Sequence, residues 1–564
     1  MATVREVADA YVERAATLNP ILATERGIVG HDRELTDYSP DGNEERARND
    51  REALASVRAA TPADDGERPA RRLLIERLEA GLALADSGEL FRPLRVLGSP
   101  IAAVRQVFDV MPRESIEDWE TIAVRLERVP TALGTIRVLL EEGRSRGLLA
   151  SRRQALGVAR QAATWAGGGG TAPFFGRLLA EYDDSGFGGG LTSRLAAAAA
   201  GATEAYGATA RYLREEYSPD APERDAVGPE RYGLFARQSL GADVDLAEAY
   251  QWGWEELYRL EDEMAAVGDG IVRGATVSEV IEILENDPAR AIEGEDALRA
   301  WLQDLMDRTI DELDGVHFDI AAPIKRVEAM IAPPGGTAAM YYTGPSEDFS
   351  RPGRTWYPTL GKTVFPRWGE VSVCYHEGVP GHHLQIAQVR YRSDRLNRFQ
   401  RMISLPGHSE GWALYAERLM DELGYFEDPE YRLGYLRAQV TRAVRVVVDL
   451  GMHLELPIPA TERFHPGERW TPELGHAFVD SRSCFPKDFM ASEIDRYLGS
   501  PGQAISYKLG ERAWLRARDA ATARAGAAFD LKSFHAAALD LGPLGLDQLE
   551  AELSAIQTGQ ASTG

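Results

Sequence analysis

Residues 374–385 read CYHEGVPGHHLQ, and the kind of fold this chain needs is decided by how that stretch is read. It places His376, Glu377, His382 and His383 within eight residues. Imidazoles and carboxylates are the ligand set that suits zinc, and a site with three protein ligands keeps one position open for chemistry. The simplest form is H-E-x-x-H on one helix, with the histidines on a shared face and the glutamate activating water. Here the fourth residue after His376 is Pro380. On a straight helix His382 would lie ~240° around and ~9 Å along from His376. His383 would share the face of His376 but sit ~10.5 Å away, too far for two ligands at ~2 Å from one ion. Pro380 has no N–H to give to the His376 carbonyl, and Gly381 tolerates an irregular backbone. A bulge that absorbs two residues brings His382 to the place of the second histidine, so His382 is favoured over His383 as the ligand.

A third ligand has to come from elsewhere. Residues 405–424 read LPGHSEGWALYAERLMDELG. Pro406 and Gly407 end one element, and Ser409 is expected to cap a helix that starts near Glu410. Glu410 then sits in the first turn and Glu417 two turns later on the same face. Both also suit an ordinary helix, because acids favour the first turn and Glu417 could face solvent. Seven of the ten histidines lie between His376 and His476, which weighs towards ligation.

Outward from this segment the chain reads as helix. Residues 70–84, 115–129, 131–144, 246–267 and 277–284 place apolar side chains at three- and four-residue spacing. Pro130 is expected to end or kink one helix before the next resumes. Alternating β-branched runs are scarce, and there is no internal repeat of 20–50 residues. Residues 164–190 carry glycine runs at 167–170 and 188–190. No GK[ST] follows them, so they read as a connection or lid rather than a phosphate loop. Residues 331–370, rich in Pro, Gly, Thr and aromatics, read as irregular loop with short strands. The expected organisation is a helical scaffold over residues 1–328 and a catalytic zinc-binding part over residues 329–564, together two-lobed with a cleft.

Composition narrows the function classes. The chain has 564 residues, 63 basic and 88 acidic, for a net charge of -25. That charge argues against nucleic acid or an anionic membrane surface as the main partner. No stretch approaches the ~20 apolar residues of a membrane span, and the first 20 residues have no apolar signal-type core. Two cysteines, Cys374 and Cys484, cannot make a disulfide scaffold. The expectation is a soluble, cytoplasmic protein. Only five of the 63 basic residues are lysine, so arginine is the default cation and its individual positions carry little information.

HEGVPGHHLQ at 376–385, followed by SEGWALYAE at 409–417, resembles bacterial domain-of-unknown-function family 885, a group placed among the gluzincin-type zinc metallopeptidases. Further stretches are similar to that family's landmarks: LNPILATERGIVGHDRELTDYSPDG at 18–42, GTAAMYYTGPSEDFSRPG at 336–353, TRAVRVVVDLGMH at 441–453 and YLGSPGQAISYKLG at 497–510. The resemblance spans nearly the whole chain. SEGWALYAE is also similar to the NEGFASYxE segment of gluzincin aminopeptidases, whose first glutamate is the third zinc ligand and whose second supports the site. The resemblance therefore implies one Zn2+ per chain on His376, His382 and Glu410, with Glu417 and His383 in support. It implies a mainly α, gluzincin-like metallopeptidase fold with a small β-sheet beside the zinc-binding helices.

In that arrangement Glu377 takes a proton from water and passes it to the leaving amine. The oxyanion needs a further donor; Tyr507, His453, Tyr341 and Tyr342 are the candidates, with Tyr507 favoured. Tyr342 is also a candidate for holding substrate. Arg442 and Arg445 could grip a substrate carboxylate, although Asp449, four residues after Arg445, offers an intrahelical pair instead. Lys508 stands out because lysine is rare. Trp412 and Trp356 read as core aromatics. The expected activity is hydrolysis of peptide or amide bonds in short peptides, carboxypeptidase- or dipeptidase-like. The competing readings are a pathway-specific amidase on the same site and a non-catalytic helical binding protein, which would have no use for Glu377.

Overall fold

A computed structural model describes residues 2–332 and 339–556. Residues 333–338, part of the expected irregular loop and of the landmark at 336–353, lie outside the described residues. The chain is mainly α-helical, and its two sheets have two and three strands. It divides into two compact units.

The first unit comprises Met1–Thr61, Arg77–Val227 and Glu493–Ser500. Its central helix, Thr192–Tyr212, packs against Ile116–Glu127, Val129–Ser145, Arg152–Trp165 and Phe174–Asp184. Ala198, Ala199 and Ala202 on that helix are buried, and their small side chains let the neighbours come close. Trp119, Phe175, Tyr182 and Tyr206 fill the core between them. Helices end before Pro130, as expected, with a new one running from Val129. The glycine-rich stretch contains a helix that its composition hid, Phe174–Asp184, which buries Phe174, Phe175, Leu178 and Tyr182.

The second unit comprises Pro62–Glu76, Gly228–Ser492 and Pro501–Gly564. The helices that build its centre are α1 (Gly228–Leu240), α2 (Leu246–Ile271), α3 (Glu295–Leu313), α4 (Glu370–Glu377), α5 (His382–Tyr391), α6 (Pro406–Glu422), α7 (Pro429–Leu454), α8 (Ser506–Ala525) and α9 (Leu531–Asp540). Its strands are β1 (Ala291–Glu293), β2 (Val327–Ile331), β3 (Tyr341–Thr343), β4 (Gly353–Tyr357) and β5 (Val364–Pro366). β1 and β5 pair antiparallel; in the other sheet β4 lies between β2, parallel to it, and β3, antiparallel to it.

Two close helix pairs set the geometry. α2 lies along α7, and a Cβ on Gly253 would come within 2.8 Å of Val446 Cγ1. α6 lies along α8 with Gly411 against the backbone of Gly510, an approach that only glycine at both positions permits. α7 is buried along most of its length, including its run of valines, so it is the core helix of this unit. Residue 328 lies within β2, inside the second unit. The helices from residue 228 onwards thus share a core with the histidine cluster, because α2 buries its apolar face on α7. Helical periodicity reports that a face is apolar, not what covers it. No helix among the described residues is long and apolar enough to cross a membrane.

Candidate metal centre

The chain does not bulge within one helix between the two histidines; it ends one helix and starts another. α4 stops at Glu377 and α5 begins at His382. Across the four-residue link, the Gly381 N–H donates to the Tyr375 carbonyl at 3.0 Å and the His383 N–H to the Gly378 carbonyl at 3.1 Å. A Cβ on Gly381 would overlap the carbonyl oxygens of Tyr375 and His376, so a residue with a side chain cannot make this turn. The two extra residues are absorbed here, and the His376 and His382 rings come to 4.8 Å between centroids, nearly perpendicular.

α6 supplies the third group. It begins at Pro406, with Ser409 inside the helix bonding back to the Leu405 carbonyl rather than capping it. Glu410 Oε2 lies 3.5 Å from His376 Nε2 and 3.4 Å from His382 Nε2. One ligand atom from each of the three residues falls within 4.8 Å of the others. The two contacts are longer than the ~2.7–2.9 Å of a charge-assisted hydrogen bond. Glu410 Oε2 is buried and has no hydrogen-bond partner among the described residues. A buried carboxylate oxygen without a donor is costly, and a cation between the three groups would satisfy it. The donor set of two imidazoles and a carboxylate fits zinc.

Behind His376 the structure is fully committed. Its Nδ1 lies 2.7 Å from Glu417 Oε1, and the other Glu417 oxygen accepts from the Ser372 hydroxyl at 2.6 Å. Arg442 Nη2 lies 3.2 Å from Glu417 Oε1. Burial alone would raise the Glu417 carboxyl, but Arg442 and His376 outweigh it and hold it below the ordinary carboxylate range. Burial alone would lower the His376 imidazole, but Glu410 and Glu417 push it up to about 9. Glu410 faces both imidazoles and Glu417 one of them, which favours positive charge at the centre. In the neutral ring the pairing with Glu417 places the proton on Nδ1 and leaves Nε2 turned to the site.

Comparison with known proteins agrees with the extent of the sequence resemblance. A family model described as a bacterial protein of unknown function, DUF885, matches residues 20–553. The chain belongs to the DUF885 family. No protein among curated sequences matches it. A crystal structure from Colwellia psychrerythraea, provisionally described as a lipoprotein, superposes with a TM-score of 0.85 at 22% identity, covering 98% of each chain. A second, from Shewanella oneidensis, provisionally described as a lipoprotein of unknown function, gives 0.74 at 17% identity, covering 98% of this chain and 100% of that one. These likenesses show a shared fold. A Pyrococcus furiosus carboxypeptidase aligns at a TM-score of 0.40 and 12% identity over 99% of this chain and 93% of that one, too low to indicate a common fold.

The remaining sequence candidates of this DUF885 chain separate into those at the centre and those away from it. Glu377, next to His376 at the end of α4, is 7% exposed, and its carboxylate makes no hydrogen bond or ion pair among the described residues. Arg442 reaches the centre, but only behind it, on Glu417. His383 faces away from the metal-type cluster: its Nε2 donates to the Ile324 carbonyl at 2.6 Å and its Nδ1 accepts from the Tyr342 hydroxyl at 2.9 Å. Tyr342, on β3, is thereby engaged with His383 and is half-buried. Its neighbour Tyr341 stacks on Trp356, 5.8 Å between centroids.

Two candidates, His453 and Lys508, are held elsewhere, and Arg445 and Tyr507 pair with each other. His453 lies eleven residues beyond Arg442 on α7, ~16 Å along the helix, fully buried beside Tyr232 and Asp449. Asp449 itself accepts from the Tyr232 hydroxyl and the Gly502 N–H. Lys508 is also fully buried, bonded to Glu511, to Glu256 at 2.8 Å and to Gln439 at 3.0 Å. It ties α2, α7 and α8 together, so its rarity marks an internal ion cluster and not a cleft. Arg445 lies over the Tyr507 ring at 4.6 Å, and both are half-buried.

Sequence reasoning missed two contributors. Ser372 lies four residues before His376 on α4, and that spacing on one face could have flagged it. Trp412 donates its indole N–H to the carbonyls of Pro380 at 2.9 Å and Gly381 at 3.2 Å; nothing in the sequence links residue 412 to residue 380.

Proposed function

We propose that this chain is a zinc-dependent hydrolase that cleaves peptide or amide bonds of short peptides. The observation that carries the reading is the convergence of His376, His382 and Glu410 around a buried carboxylate oxygen that lacks a donor. A structural zinc is closed by four protein ligands, whereas three leave a place for water and substrate. Among the described residues three side chains converge here.

His376, His382 and Glu410 would hold the ion. Bound there, zinc would supply Lewis-acid polarisation of the scissile carbonyl and of water. Glu377 accepts the water proton at its carboxylate and returns it to the leaving nitrogen. Its low exposure and unspent acceptor capacity support that role, since a carboxylate already saturated by donors is a poor base. Glu417 keeps the His376 proton on Nδ1, and Ser372 and Arg442 keep Glu417 in place. The net charge of -25 supports a small substrate over a polyanionic one.

The test is metal content by mass spectrometry on wild type and on His376→Ala, His382→Ala, Glu410→Ala and His383→Ala. About one zinc per chain is expected in wild type, lost in the first three variants and kept in the fourth. Glu377→Gln should keep its zinc and lose peptide-library hydrolysis. A wild type that takes up no metal when zinc is offered would overturn the reading.

A further inference from the structure

The two histidines of the centre are supported unequally. His376 is braced by Glu417, which is braced in turn by Ser372 and Arg442. His382 has no such brace: its Nδ1 is buried and has no hydrogen-bond partner among the described residues. The direction of the His382 ring therefore rests on the backbone from which it springs. That backbone is the link 378–381, which lies between the two helices and whose Gly381 carbonyl also accepts from the Gln385 N–H at 3.2 Å.

One side chain reaches carbonyls of that link from the helix that also bears Glu410. Trp412 stands two residues after Glu410 on α6 and is fully buried. Its single N–H is shared between the Pro380 and Gly381 carbonyls, immediately before His382. The indole is itself fixed by edge-on packing against Trp514 at 4.9 Å and Phe318 at 6.4 Å. Trp412 thus joins two of the three candidate ligands through one rigid ring: Glu410 along its own helix and His382 through the link.

We infer that Trp412 is a positioning residue of the metal centre, acting through its indole N–H on the link to aim His382 at Glu410. The inference rests on the reading of His376, His382 and Glu410 as metal ligands. A tryptophan that served the core alone would need its bulk but not its N–H.

The experiment compares wild type with Trp412→Phe in two ways. Zinc affinity is measured by chelator competition on the metal-free protein, and cobalt(II) is loaded to read ligand geometry from its visible spectrum. The expected result is a weakening of zinc binding by about tenfold or more, the usual scale for supporting residues of metal ligands. The cobalt spectrum should depart from that of wild type, because one ligand no longer aims at the other two. A lower melting temperature of the metal-free protein, with affinity and cobalt spectrum as in wild type, would overturn the inference and leave the metal site standing. Wild type that binds neither zinc nor cobalt would overturn both. Should Trp412→Phe fail to fold, the benzothiophene analogue of tryptophan placed at 412 keeps the shape and replaces the N–H with sulfur. Its zinc affinity then decides: weakened binding supports the role of the N–H, and unchanged binding overturns it.

Discussion

Glu417 Oε1 lies 2.7 Å from Nδ1 of His376, on a carboxylate with no exposed surface. The pair fixes which nitrogen of His376 faces Glu410. Glu417→Gln keeps the shape but exchanges one acceptor oxygen for a donor amide and removes the charge that Arg442 faces. We expect zinc affinity to fall ~10–100-fold, as for other partners of metal-bound histidine. Chelator competition would check this, with His376→Ala as the reference for full loss.

His383 offers the contrasting case, since it is adjacent to His382 yet bonded to Ile324 and Tyr342. Burial pushes its imidazole down to about 4, so it is neutral at pH 7. His383→Ala strands the Tyr342 hydroxyl and the Ile324 carbonyl, a loss of about 1–3 kcal/mol in each case. The expected outcome is a lower melting temperature with unchanged zinc stoichiometry. Loss of zinc in a variant that still folds would count against the assignment of its role.

Lys508 is predicted to matter for stability and not for chemistry. It neutralises Glu256 and Glu511 inside the protein. Burial would raise the Glu256 carboxyl, but Lys508 and Arg259 hold it at about 2. Lys508→Met removes a fully buried cation from Glu256 and Glu511 and leaves them to Arg259 and Arg418; breaking a buried pair in this way costs up to about 3–5 kcal/mol. Denaturant unfolding of wild type and variant would measure it, and zinc content should be the same in whatever fraction folds.

His535 should make the fold sensitive to mild acid. Its Nε2 lies 2.7 Å from the Tyr415 hydroxyl, and its ring stacks on Phe318 at 4.9 Å. Burial, and then Arg518, push its imidazole down from 6.5 to about 3. In the unfolded chain the imidazole takes up a proton as pH drops below about 6.5, while the folded protein excludes it until about pH 3. Its contribution is therefore intact above about pH 6.5 and is lost as pH falls through that window, by about 1.4 kcal/mol per pH unit. His535→Gln should reduce the slope of unfolding free energy against pH between about 4 and 6 by one proton. An unchanged slope would mean that His535 is already protonated in the folded state.

The sequence by itself determined the class of the fold and offered a donor set, two imidazoles and a carboxylate, of the kind that suits zinc. Pro380 cannot close the helical turn on His376, and Gly381 sits where no side chain fits. Those local facts were enough to prefer His382 over His383 and to expect helices at three- and four-residue spacing. Tertiary structure alone decided which neighbour meets each face. Glu417 finds His376 across 41 residues and Trp412 finds Pro380 across 32, distances at which periodicity carries no information. The same limit misplaced Lys508 and His453, whose polar side chains are as consistent with a cleft as with a buried network. Which of the two they join depends on the helix packed over them, and that packing is set by close approaches such as Gly411 on Gly510 and Gly253 on Val446, which only the folded chain brings about.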